Sequence, residues 1–170
     1  NVEQKGNPWG MNASMRNAWI EEVDFDVRVF GMDGEDVIPD DVEYLFWVGC
    51  AGAYEDRAKR TTKAVAELMN VAGVEFMVLG EGETCTGDPA RRAGNEFLFQ
   101  MQAMQNVEVL NEIKAKKIVV TCPHCLNTIG REYPQLDGHY EVVHHTQLLA
   151  QLLRDKKLTP VKPVDEKVTY

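Results

Sequence analysis

Short apolar runs alternate with longer segments of helical periodicity over most of the chain, and this alternation constrains the fold more than any other feature. Four runs resemble strands buried on both faces: residues 43–50, 74–80, 116–122 and 140–145. Helical spacing follows each run, in segments 55–73, 88–116, 123–133 and 146–157. Such alternation implies right-handed βαβ crossovers. We therefore predict a three-layer α/β fold, a Rossmann-like half module with a mostly parallel sheet of about four strands.

Residues 1–41 lack this alternation and are predicted to form an irregular N-terminal lead-in arm. Gly and Pro interrupt its acidic part, residues 24–42, and residues 14–23 could form one short helix. We expect the arm to pack on the main domain, residues 42–158, through Trp9, Trp19 and Phe30. The chain starts with Asn and ends with the strand-like EKVTY. Both ends look cut, so we expect a fragment of a longer polypeptide.

Composition and charge exclude several classes of function. The net charge is −9, with 27 acidic and 18 basic residues, which argues against binding to nucleic acid or to an anionic membrane surface. No apolar run approaches the roughly 18 residues that span a membrane, and no signal peptide is visible. Four cysteines are too few for a disulfide-stapled secreted scaffold, so we expect reduced thiols in the cytoplasm.

The four cysteines fall where predicted strands end. Cys50 ends the first strand, Cys85 follows the second by a short loop, and Cys122 and Cys125 end the third. Ligand sites in parallel sheets lie beyond the carboxyl ends of the strands. We therefore expect all four thiols on one rim, where they could coordinate one zinc ion or the four irons of a cubane.

Three other interpretations stay open at this point. A zinc site would make the chain a structural or interaction domain, although zinc ribbons usually bring two close CxxC pairs, and here two thiols stand alone. A thiol–disulfide protein would use Cys122 and Cys125 and leave Cys50 and Cys85 without a role. The cysteines could also be buried small apolar residues, which suits Cys85 poorly in its polar loop.

The local sequence favours a large anion beside these thiols. Cys85 precedes the amides of Thr86 and Gly87 and a predicted helix that starts at Asp88 and Pro89. Helix N-termini carry unpaired N–H groups and partial positive charge. Further candidates for the environment of the site are Arg91, Arg92, His124, His144 and His145. A solvated face for the arginines and structural hydrogen bonds for the histidines are the alternatives.

Four segments together resemble the cysteine-rich (CCG-type) domain of heterodisulfide reductase-like iron–sulfur oxidoreductases. They are WVGCAGAY, GETCTGDPARRAGNE, VVTCPHCLNTIGREYP and YEVVHHTQLL, and the similarity runs from about residue 43 to residue 153. Cys50 matches the lone cysteine of that domain, Cys85 and Gly87 the outer positions of its Cys-Cys-Gly, and Cys122 and Cys125 its CxxC. Thr86 replaces the second adjacent cysteine. Family members with five cysteines can build non-cubane clusters that cleave disulfides, so four cysteines imply an ordinary [4Fe–4S] cluster.

The resemblance also implies a role and partners. It implies an electron-transfer domain of an oxidoreductase, without bond chemistry on this chain and without nucleic acid. An upstream ferredoxin-like or flavin domain would precede the lead-in, and residues 159–170 would connect to a second cysteine-rich module. A membrane-associated, quinone-linked subunit on the cytoplasmic side is a further implied partner. The chain lacks the G-x-G-x-x-G order, so no dinucleotide site is predicted.

Overall fold

The computed structural model describes residues 1–167 and 169, and its centre is a five-stranded sheet in which every pairing is parallel. The strands are β1 (Arg28–Val29), β2 (Tyr44–Trp47), β3 (Phe76–Val78), β4 (Lys117–Val120) and β5 (Glu141–His144). Their order across the sheet is β1-β3-β2-β4-β5. The predicted α/β fold with a parallel sheet is confirmed.

Helices connect the strands. They are α1 (Val2–Lys5), α2 (Gly49–Tyr54), α3 (Asp56–Val71), α4 (Asp88–Arg92), α5 (Glu96–Glu112), α6 (Pro123–Asn127) and α7 (His145–Arg154). Shorter 3₁₀ turns cover Ala13–Asn17, Ile20–Glu22, Gly80–Gly82 and Tyr133–Leu136, and a π-helical turn covers Thr128–Glu132. Within the described part of the chain, no helix combines the length and the apolarity that a membrane span requires.

Each face of the sheet carries its own apolar core, because successive strand residues point to opposite faces. Leu45 and Trp47 of β2 belong to a core that includes residues of α4 and α5. Tyr44 and Phe46 belong to the other core, which includes residues of α3 and α7. Two helical layers thus cover both faces, as expected for a parallel sheet.

The lead-in arm joins the sheet. Its strand β1 pairs with β3, with Arg28 opposite Met77 and Val29 opposite Val78. Of the three predicted anchors, Trp19 is buried, Phe30 is partly buried and Trp9 is 44% exposed. Two 3₁₀ turns replace the predicted short helix at 14–23. A strand of two residues is shorter than the periodic run that reveals a strand in sequence, so β1 was not predicted.

Several local predictions are wrong in detail. The predicted helix over 88–116 is interrupted, because Gly94 has φ +81° and the side chain of Asn95 caps α5. Met101 and Met104, predicted as core, are 54% and 58% exposed. The predicted cap Thr146 lies inside α7, whose first turn follows His144. The predicted strand at 166–170 falls partly on residues outside those described; residues 166, 167 and 169 are not in a strand.

Candidate metal centre

The four cysteines line one cavity of about 370 Å³ at the carboxyl ends of the strands. Cys50 lies in α2, directly after β2, and Cys85 follows the 3₁₀ turn after β3. Cys122 precedes α6 at the end of β4, and Cys125 lies within α6. Cys122 is half-buried, whereas the other three are buried. Three neighbouring strands therefore bring their thiols to a single place, as their order in the chain predicts.

The thiols stand as two hydrogen-bonded pairs. Cys125 donates to Cys122, and this bond, together with the N–H groups of Cys125 and His124, lowers the pKa of Cys122 to about 6. Donation to Cys122 and burial raise the pKa of Cys125. In the second pair, Cys50 donates to Cys85, which raises the pKa of Cys50 and lowers that of Cys85. Each pair thus contains one sulfur that readily takes the thiolate form in which cysteine binds metals.

The pairs are not gathered around one point. Among residues 1–167 and 169, no three Cys, His, Asp or Glu side chains form a group that could hold a single metal ion. What the four thiols share is the wall of the cavity. A ligand bound by all four would therefore fill that cavity.

A hydrogen-bonded network fixes the backbone around Cys85. Asn106 Nδ2 donates to the Cys85 carbonyl at 2.9 Å and to Tyr133 Oη at 3.0 Å. The Tyr133 hydroxyl in turn donates to the Thr86 carbonyl at 3.0 Å. Gly87 has φ +91°, and a Cβ there would come within 2.9 Å of Phe99 Cδ2. This conformation lets the Gly87 N–H donate to the sulfur of Cys85.

A buried ion pair, which sequence reasoning missed, adjoins Cys50. Arg16 Nη1 lies 2.8 Å from Glu83 Oε1, and Arg16 Nη2 donates to Cys50 Sγ at 3.2 Å. Glu83 also accepts hydrogen bonds from the Val48 and Gly49 amides, at 2.9 and 2.8 Å. No motif marks Arg16, whereas Glu83 could have been noted as a carboxylate two residues before a predicted ligand.

Two of the predicted environment residues line the cavity beside the cysteines. Thr86 is buried in the wall. His124 also lines it, with Nδ1 3.1 Å from Asp88 Oδ2, and its side chain is largely exposed. Arg92 is a further lining residue and pairs with Asp88 and Glu132.

Arg91, His144 and His145 are not among the described residues that line the cavity. The Arg91 guanidinium stacks 4.4 Å above the Phe99 ring. His144 Nε2 lies 2.9 Å from the Thr121 carbonyl and Nδ1 lies 2.8 Å from Thr146 Oγ1. Since the carbonyl only accepts, Nε2 carries the proton and Nδ1 accepts. The His145 ring bonds to the Val120 backbone, and burial lowers its pKa.

The residues of the cavity suit a sulfur-rich anionic group. The four thiols are the ligand set that iron–sulfur clusters and soft metals prefer. Trp47 lines the cavity, and its Nε1–H is buried without a hydrogen-bond partner in the part of the chain that the structure describes. Buried N–H groups normally find an acceptor. An inorganic sulfide or a thiolate would supply one.

Comparison with known proteins identifies the family. The model of the cysteine-rich domain (CCG) matches residues 44–130, the segment that contains all four cysteines. The chain belongs to this family. The predicted resemblance is thereby confirmed. No solved structure matches the chain.

Three relatives are redox proteins that contain a segment similar to this chain. The chain is 44% identical to the EtfAB:quinone oxidoreductase of Syntrophomonas wolfei, over 100% of this chain and 23% of the relative. It is 40% identical to the probable iron-sulfur-binding oxidoreductase FadF of Bacillus subtilis, over 99% and 24%. It is 30% identical to one component of the dihydromethanophenazine:CoB–CoM heterodisulfide reductase of Methanosarcina barkeri, over 99% and 39%. The chain thus spans about a quarter of the first two relatives.

Proposed function

We propose that this protein holds one [4Fe–4S] cluster on Cys50, Cys85, Cys122 and Cys125 and serves as an electron-transfer module. The observation that carries the proposal is the convergence of four thiols from three strand ends on one cavity. The names of the relatives, which include an iron-sulfur-binding oxidoreductase, support the choice of an iron–sulfur group. When bound, such a cluster would accept and release electrons singly.

The chain's own residues would hold the ligands and limit their exposure to water. Cys122 already accepts the amide N–H groups of His124 and Cys125, and Cys85 accepts that of Gly87. Amide donors to cysteine sulfur stabilise negative charge there and thereby favour the reduced state. Trp47 and Pro8 supply apolar wall, and three of the four sulfur-bearing side chains are buried.

The protein would pass electrons between redox partners of a longer oxidoreductase. The relative named as an EtfAB:quinone oxidoreductase supports a flavin-linked or ferredoxin-like donor and a quinone as acceptor. We include in this proposal a second cysteine-rich module after residues 159–170 and an association with the cytoplasmic side of a membrane. We do not include cleavage of a disulfide, because Thr86 stands where a fifth cysteine would be needed.

Anaerobic reconstitution with iron and sulfide tests the proposal. The protein should bind about four irons and about four sulfides and develop a broad visible charge-transfer absorption. Cys50→Ser, Cys85→Ser, Cys122→Ser and Cys125→Ser should each lower the iron content, whereas Thr121→Ser, a hydroxyl-retaining change beside Cys122, should not. Uptake of one zinc without sulfide would contradict the proposal and indicate a structural zinc domain. A dithiol titration that survives Cys50→Ser and Cys85→Ser would instead indicate a thiol–disulfide protein.

A further inference from the structure

Arg16 is a charged residue of the lead-in arm, only 4% exposed, that reaches a proposed ligand. Its Nη2 donates to Cys50 Sγ at 3.2 Å, although 34 residues separate the two in sequence. Arg16 also lies outside the segment 44–130 that matches the family model. The proposed site therefore receives a charged group from a part of the chain that the cysteine motif does not include.

The geometry of the ion pair directs the cation toward sulfur. Glu83, which is itself buried, holds Arg16 Nη1 at 2.8 Å. Because Glu83 also accepts the Val48 and Gly49 amides, its position is fixed by the turn that presents Cys50. The Arg16 guanidinium further lies 5.1 Å from the centroid of the Tyr54 ring. A guanidinium stays protonated and offers several donors in a rigid plane, so one edge can bind the carboxylate while another nitrogen binds the sulfur.

We propose that Arg16 is a positioning residue for the cluster, which orients the Cys50 ligand and raises the reduction potential through its hydrogen bond to Sγ. This inference rests on the proposed function. Donors to cysteine ligands favour the reduced, more negative state of a cluster. The effect is stronger in a water-excluded site, where screening is weak. Glu83 offsets the charge of Arg16, yet the carboxylate faces Nη1 and the amides while Nη2 faces the sulfur.

A double substitution tests the hydrogen bond without leaving a lone buried charge. Arg16→Met with Glu83→Gln removes the donor and the pair together, and Arg28→Met with Asp41→Asn removes the exposed pair of the same chemistry and the same 2.8 Å separation. An EPR-monitored redox titration of the reconstituted protein gives the potential. We expect the ratio of reduced to oxidised cluster at a fixed potential to fall about tenfold, or about 59 mV for one electron. The control pair should leave the ratio unchanged.

Two results would overturn the inference while the proposed function stands. One is a potential of the Arg16→Met/Glu83→Gln protein equal to that of the control. The other applies if this variant assembles no cluster, and uses arginine labelled with ¹⁵N in an Arg92→Met protein, which lacks the second arginine at the cavity. There, Arg16 should give a ¹⁵N hyperfine coupling to the reduced cluster that Arg16→Lys abolishes, and absence of the coupling refutes the contact. A wild-type protein that binds no iron and sulfide refutes the proposed function, and this inference with it.

Discussion

The hydroxyl of Tyr133 donates a hydrogen bond to the backbone carbonyl of Thr86, and this contact ties the end of the third strand–helix unit to the loop that carries Cys85. The two residues are 47 apart in sequence. Asn106 completes the arrangement from α5 by donating both to Tyr133 Oη and to the Cys85 carbonyl. The position of one proposed ligand thus depends on two polar side chains buried within an otherwise apolar layer.

Tyr133→Phe should destabilise the fold. The substitution leaves the Thr86 carbonyl and one Asn106 N–H unsatisfied in the interior, at about 1–3 kcal/mol for such a group. Urea unfolding followed by circular dichroism measures the change. Tyr140→Phe is the matched control, because that hydroxyl bonds to Asn111 Oδ1 nearer the surface, and its loss should cost about 1 kcal/mol or less. Equal losses in the two variants would contradict a special role for the Tyr133 hydroxyl.

Gly87→Ala should lower both stability and cluster content. At φ +91° a side chain is strained, and the added Cβ would lie 2.9 Å from Phe99 Cδ2 and 3.3 Å from the Phe99 carbonyl oxygen. Gly94→Ala separates the two effects, because Gly94 has φ +81° but no atom within 4 Å of the added Cβ. We expect about 1–2 kcal/mol for Gly94→Ala from the backbone alone and a larger loss for Gly87→Ala. Thermal unfolding and iron content measure both; similar losses would remove the argument for the close contact.

The sequence allowed the rim of cysteines to be predicted because each thiol stands at or near the end of an apolar run, and parallel strands bring such ends together. It did not reveal Arg16, because the contacts of that side chain join residues 34 and 67 positions apart and follow no periodic pattern. Helical periodicity also showed that one face of 96–112 is apolar without showing which residues face the sheet. Phe99, Ala103 and Val107 are buried, and Met101 and Met104 lie on the outer side.

In the metal-free, reduced protein, Cys122 should be the thiol that iodoacetamide modifies first. It is the only one of the four described as less than buried, and the hydrogen bond from Cys125 lowers its pKa to about 6. A lowered pKa means that the thiolate prevails above that pH, so the rate should rise through about pH 6 and level off by pH 7 or so, whereas an ordinary thiol keeps gaining rate up to about 8.5.

Peptide mapping by mass spectrometry identifies the modified cysteine. Cys125→Ala removes the donor and should move the rise in rate at Cys122 to higher pH. Cys50 has a raised pKa, with donation to Cys85 and burial as the leading causes, and should react slowly throughout. Modification of Cys50 before Cys122 would contradict the hydrogen-bond directions in the two pairs.

Trp9→Ala should shorten the lifetime of the reconstituted cluster in air. The Trp9 ring lines the cysteine cavity although it is partly exposed, so its removal opens the wall to water and oxygen. Phe97→Ala is the control, because Phe97 is a more exposed aromatic residue, on α5, and is not among the described residues of that wall. We expect the visible absorption to decay several-fold faster in Trp9→Ala than in the wild type and at the wild-type rate in Phe97→Ala. Equal decay in all three proteins would show that the lead-in arm does not shield the proposed cluster, and would leave Arg16 as its contribution to the site.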